Sequence, residues 1–124
     1  MRVLVPLLIL LTTLVPHAHA DTAAELASAC RPVAAARVSG DSVYFQQTYD
    51  SGRCWGAFTI IQRISSYVDS QGSRPLHACV PPTSTRQQLV AVFVEFLNRN
   101  PQRMHEDAFE MSIEALTVAF PCTK

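Results

Sequence analysis

Between Thr85 and Asn100, apolar residues fall at Leu89, Val92, Phe93, Phe96 and Leu97. This is the i, i+3, i+4, i+7, i+8 spacing that lines one face of an α-helix. Thr85 and Gln88 form a Ser/Thr-x-x-Gln capping box at its start, each end satisfying a backbone N–H of the other. A second stripe over Arg53 to Val68 uses Cys54, Ala57, Phe58, Ile61, Ile64 and Val68, and Trp55 and Ile60 widen it. That helix therefore reads as buried on more than one side. A helix near the N-terminus opens on the capping box Thr22 to Glu25 and carries Leu26, Cys30 and Val33, with Pro32 predicting a kink or an early end. The last helix starts at Asn100-Pro101, an N-cap followed by proline at the first helical position. Its stripe runs Met104, Ala108, Met111, Ala115, Val118 and Ala119, flanked by Phe109, Ile113 and Leu116, until Pro121.

The segments between these stripes are polar. Residues 37 to 52 hold Gly40 and Gly52 and only a weak alternation at Val43, Phe45 and Tyr49, so they read as a long loop with at most a helical turn. Residues 69 to 82 form a linker around Cys79, closed by Pro81 and Pro82. The turn at residue 100 is so short that the third and fourth helices should lie antiparallel. The expected fold is all-α: a small domain of four, or four to five, helices with an antiparallel C-terminal helical hairpin, stabilised by disulfides.

The first 20 residues change the picture of where this fold works. Arg2, an apolar run from Val3 to Val15 and a small-x-small site at Ala18-His19-Ala20 make a cleavable secretory leader, with the cut after Ala20. The run is shorter than the roughly 20 apolar residues a membrane-spanning helix needs. No membrane insertion is expected after cleavage. The domain is then residues 21–124, leaving 104 of the 124 residues, enough for one hydrophobic core. Without Arg2 it carries nine basic against ten acidic residues, which argues against nucleic acid or anionic membrane as partner.

All four cysteines, Cys30, Cys54, Cys79 and Cys122, lie in the mature part. An even count in a small exported domain points to two bridges. Three pairings are possible. An antiparallel arrangement of the last two helices returns Cys122 to the neighbourhood of Cys79, which favours Cys79 with Cys122 and leaves Cys30 with Cys54. The spacing offers no close pair such as C-x-x-C for zinc.

The chemical inventory is thin. Cleavage removes His17 and His19, leaving His77 and His105. A Cys-His pair needs a free thiolate, and the cysteines are committed to bridges. His105, Glu106 and Asp107 spread around a helix and lack a second histidine at i+4, so no metal and no cofactor are expected. There is no G-x-S-x-G and no phosphate-cradling glycine loop. Catalysis is not expected, and recognition falls to loops on a rigid scaffold. The first candidate partner-binding loop carries Tyr44, Phe45 and Tyr49, a composition suited to protein contacts. The linker at 71 to 82 is the second.

Several residues carry a family resemblance. They are Cys79-Val-Pro-Pro82, Gln88-Leu-Val-Ala-Val-Phe-Val-Glu-Phe-Leu97, Asn100-Pro101, His105, Ala115-Leu116 and Ala119-Phe-Pro-Cys122, with Cys54-Trp-Gly56 upstream. In this order they resemble the Rap/Tai family of type VI secretion amidase immunity proteins, over roughly residues 52 to 122. Asn100 stands where that family usually has His, Gln102 where it has Glu, and Ala57-Phe58 where it has a Tyr-aliphatic step. The resemblance implies a periplasmic helical protein that binds a peptidoglycan amidase effector, blocks its active site and protects the cell that carries it. It also allows a homodimer. Other classes compatible with a small exported helical domain are a periplasmic chaperone or stress protein and a subunit of an envelope complex.

Overall fold

The computed structural model describes residues 19–123, so the leader read over residues 1 to 20 lies almost entirely outside the described residues. Four α-helices and one two-stranded antiparallel sheet follow in the order α1 (Ala23–Ala34), β1 (Arg37–Ser39), β2 (Ser42–Tyr44), α2 (Tyr49–Ser66), α3 (Arg86–Arg99) and α4 (Ala108–Ala119). A 3₁₀ turn, Pro101–Arg103, stands between α3 and α4. The domain is mostly helical, and the all-α expectation is corrected by the hairpin at 37–44.

Helix α1 begins where Thr22 accepts from the Glu25 N–H and the Glu25 carboxylate accepts from the Thr22 N–H at 2.8 Å. It runs two residues past Pro32, which is exposed. Ala23, Leu26, Ala27, Ala29, Cys30 and Val33 are all buried, because α1 packs against α2, α3 and α4 at once. Its alanines leave room for three neighbours.

The start of α1 explains why the fourth helix does not begin at Pro101. The first N–H groups of a helix have no partner within it. Here Ala23 N–H donates to the Glu106 carbonyl at 2.8 Å and Ala24 N–H to the Met104 carbonyl at 2.9 Å, while Ala108 N–H donates back to the Asp21 carbonyl at 3.0 Å. Residues 104 to 107 are thus spent as a cap for α1. Asp107 then caps α4, its carboxylate accepting from the N–H groups of Phe109 and Glu110. Asn100 is no N-cap. It ends α3, and its side-chain amide donates to the Phe96 carbonyl at 2.8 Å.

Helix α2 starts four residues before the expected Arg53. Thr48 and Ser51 cap it reciprocally, and the buried Ser51 hydroxyl also donates to the Gln46 carbonyl at 2.6 Å. It ends at Ser66, two residues short of Val68, which is exposed. The other sequence stripes need trimming too. Ile60, Val118 and Ala119 are exposed rather than core, and Leu116 continues the buried face of α4.

The core is filled by Phe58, Phe93, Leu89, Leu97, Met111, Leu116, Val33 and Val90. Two disulfides hold it: Cys30 to Cys54, joining α1 to α2 with Cα atoms 5.2 Å apart, and Cys79 to Cys122, joining the segment before α3 to the residues after α4 with Cα atoms 5.0 Å apart. The first is fully buried; Cys122 in the second is exposed. Beside the second, Cys79 N–H donates to the Phe120 carbonyl at 2.8 Å.

Two carboxylates, the exposed Glu25 and the half-buried Glu106, are tied to the fold by their charge. The Thr22 N–H and hydroxyl hold the Glu25 carboxyl below its ordinary value of 4.5. The guanidinium of Arg103 does the same to Glu106 through a pair of 2.7 Å hydrogen bonds. A carboxyl whose pKa is lower folded than unfolded adds stability that is complete above the unfolded value and vanishes as pH falls through the folded one. The melting temperature should therefore decline as pH drops from about 6 to about 3, and Glu25→Gln should flatten the decline. A melting temperature independent of pH over that range would contradict these contacts.

Candidate partner-binding site

The hairpin is built from a short sequence. Gly40 has φ +58° and Asp41 a negative φ, the pattern of a type II′ two-residue turn, which needs glycine at its first central position. Arg37 faces Tyr44, Val38 faces Val43 and Ser39 faces Ser42. Directly opposed residues share a face, so Arg37, Ser39, Ser42 and Tyr44 stand on one side of the ribbon. With Ala35, Phe45 and Gln46, three of them line an open recess of about 690 Å³.

The three residues of the candidate loop are not equivalent. Tyr44 is 61% exposed and Tyr49 84% exposed. Phe45 is half-buried, its ring 5.3 Å from that of Trp55 on α2. Tyr44 and Phe45 border the same recess; Tyr49 opens α2 and is not among its lining residues. Against the Trp55 ring lies the guanidinium of Arg86, the first residue of α3, 4.5 Å from the ring centre. Hairpin, α2 and α3 thus contribute to one continuous aromatic and basic surface.

Helical periodicity places Trp55 on the core stripe and is silent on Arg86 and Arg37, so this surface is not evident from spacing. A sequence signal for Arg86 exists. The first turns of α1, α2 and α4 carry Glu25, Asp50 and Glu110, but α3 has no acidic residue there and opens on an arginine. The positive end of a helix dipole disfavours a cation at that position.

The second candidate, the linker, is a folded turn. The Asp69 carboxylate accepts from Gln71 N–H and Ser73 N–H, both at 2.8 Å, and Gly72 supplies φ +80°. Two apolar grooves lie elsewhere. One, about 360 Å³, runs between α2 and the start of α4 past Ile60, Ala57 and Phe109. The other, about 720 Å³, runs between α3 and α4 past Val92, Phe96 and Val118.

His77 and His105 are exposed, and all four cysteines are in bridges. Glu106 is engaged by Arg103 and Asp107 by the α4 N-terminus, so both carboxylates of the His105-Glu106-Asp107 run are already committed. No group of three or more potential metal ligands occurs among the described residues. No helix among the described residues is long and apolar enough to cross a membrane.

The sequence model of the Rap1a immunity proteins matches residues 22–122. No curated protein and no solved structure matches the chain. The matched span begins at the residue that caps α1 and ends at the last cysteine, taking in both bridges, the hairpin and all four helices. With that span covering nearly the whole described fold, the chain belongs to the Rap1a immunity protein family.

Proposed function

We propose that this protein is exported to the periplasm, where it binds a cell-wall amidase effector of a type VI secretion system and blocks its active site. The observation that carries the reading is the family match over residues 22–122. An immunity family suggests a non-enzymatic inhibitor acting on a protein effector. The leader read at residues 1 to 20, with cleavage before a single domain of residues 21–124, supplies the route to the compartment where peptidoglycan is cut. The two bridges suit that oxidising compartment. We read α3 and α4 as an antiparallel pair, which is supported by the bridge between the segment leading into α3 and the end of α4.

For the contact surface we propose the hairpin and the start of α2, with Tyr44 and Tyr49 as exposed anchors and Phe45, half-buried against Trp55, as the wall of the recess beside Tyr44. Tyrosine adds a large contact area with few rotatable bonds, and such residues are enriched at interfaces. The test titrates the purified protein, and a Tyr44→Ala/Tyr49→Ala variant, into peptidoglycan cleavage by amidases encoded beside its gene. The parent should abolish cleavage by one of them. The variant should require on the order of tenfold more protein, as loss of interface anchors typically does; equal potency would remove this face from the interface.

A further inference from the structure

The exposed aromatic face also holds a cation that the fold has fixed and left without a counter-charge. Arg86 lies over Trp55 at 4.5 Å, and Phe45 backs the Trp55 ring at 5.3 Å. Its Nε–H donates to Gln62 Oε1 at 3.3 Å, and the Gln62 amide is itself held, donating to the Ser84 carbonyl at 3.2 Å. Stacking and one hydrogen bond thus define the plane of the guanidinium. Its two terminal nitrogens make no hydrogen bond among the described residues, and the side chain is half-exposed.

We propose that Arg86 is a preorganised carboxylate receptor, and that the face around it docks an acidic protein surface. A planar guanidinium takes a carboxylate in a two-pronged geometry. Holding it still beforehand removes the rotamer entropy that a free arginine loses on binding. The electrostatics of the face agree. Among the described residues Arg53, Arg99 and Arg103 have carboxylate partners, whereas Arg31, Arg37, Arg63, Arg74 and Arg86 have none, and of these five Arg37, Arg63 and Arg86 lie near the Trp55 stack or the adjoining recess. Arg37 borders the recess that Phe45 shares. Burial lowers the pKa of Arg86, and Arg63 stands close enough to add to the effect, while a guanidinium remains charged at any physiological pH. Uncompensated positive charge on a face steers association toward a negative partner and sets its register. The balance of nine basic against ten acidic residues in the mature chain is too low for a nucleic-acid surface, which leaves an acidic protein. The proposal rests on the inhibitor reading for the statement that the partner is an effector; the acidity of that partner rests on Arg86 and its surroundings.

Trp55 is the only tryptophan in the chain, so its fluorescence reports on the Arg86 stack directly. Polyglutamate titrated at low salt should shift that fluorescence saturably, polylysine should not, and added salt should weaken the effect. Arg86→Gln should weaken polyglutamate binding on the order of tenfold and Arg86→Lys less, since lysine keeps the charge but not the fork. Helical circular dichroism of both variants should match the parent. A response equal for polyglutamate and polylysine, an Arg86→Gln variant that binds like the parent, or tighter binding of single-stranded DNA than of polyglutamate would each overturn the proposal. Polyglutamate needs no effector, so failure to inhibit any amidase would count against the inhibitor reading and leave the polyglutamate result intact.

Discussion

Replacing Cys30 and Cys54 together with alanine should lower the unfolding free energy by about 4 to 5 kcal/mol. The bridge closes a loop with a sequence separation of 24, and the chain-entropy relation gives about 3.4 kcal/mol for constraining the unfolded chain over that length. Burial adds to this. Both cysteines have no exposed surface, so removing two sulfur atoms leaves a void where α1 meets α2, worth roughly another 1 kcal/mol. Domains of this size are stable by about 5 to 15 kcal/mol, so the variant is left near the margin. Denaturant unfolding of parent and variant measures the difference, and coincident curves would show that the bridge contributes nothing. The Cys79 to Cys122 bridge spans a separation of 43; entropy alone assigns its removal about 4 kcal/mol, with no comparable void because Cys122 is exposed.

Truncating Phe93 to alanine should cost about 3 to 5 kcal/mol, the range for a large side chain removed from a packed core. Phe93 is fully buried, and its ring meets that of Phe58 at 5.5 Å with the planes tilted by 46°. Such an aromatic pair adds about 0.5 to 1.5 kcal/mol beyond burial. The contrast is with Val118→Ala on α4. Val118 is 65% exposed, and a surface truncation of that kind changes stability by about 0.5 kcal/mol or less. Equal losses in the two variants would mean that the core is not where the burial pattern places it.

The same contrast marks how far the sequence can be read. The box at Thr85 and Gln88 and the stripe through Leu89, Phe93 and Leu97 define α3, because a capping pair and a 3.6-residue period are local properties that the fold leaves intact. The box at Thr22 and Glu25 defines the start of α1 in the same way. The fourth helix departs from its sequence pattern at its start and along its face, for non-local reasons. Residues 104 and 106 lend their carbonyls to α1, a contact no spacing rule within the helix can reveal. The buried face then turns through Leu116 rather than Val118. Asp107 and Glu110 do carry a legible start signal, masked by the stronger one at Asn100-Pro101.

The hairpin escapes a reading by periodicity because strands of three residues are too short to display a two-residue period. Its only advertisement is Gly40-Asp41 between two valines. For the candidate site, the exposure of Tyr44 and Tyr49 agrees with the polar setting in which they occur. The Arg86 stack on Trp55 brings together two helices separated by a long linker, and only the packing of α2 against α3 creates it.

Whether this member of the Rap1a immunity family silences a cell-wall amidase is tested most directly by inhibition of purified enzyme. Peptidoglycan cleavage by each amidase encoded beside the gene is followed while the mature protein, residues 21–124, is added. One amidase should lose its activity as the protein approaches stoichiometric amounts, with a stable complex on gel filtration. Undiminished cleavage by every such amidase, with no complex formed, would contradict the proposed function.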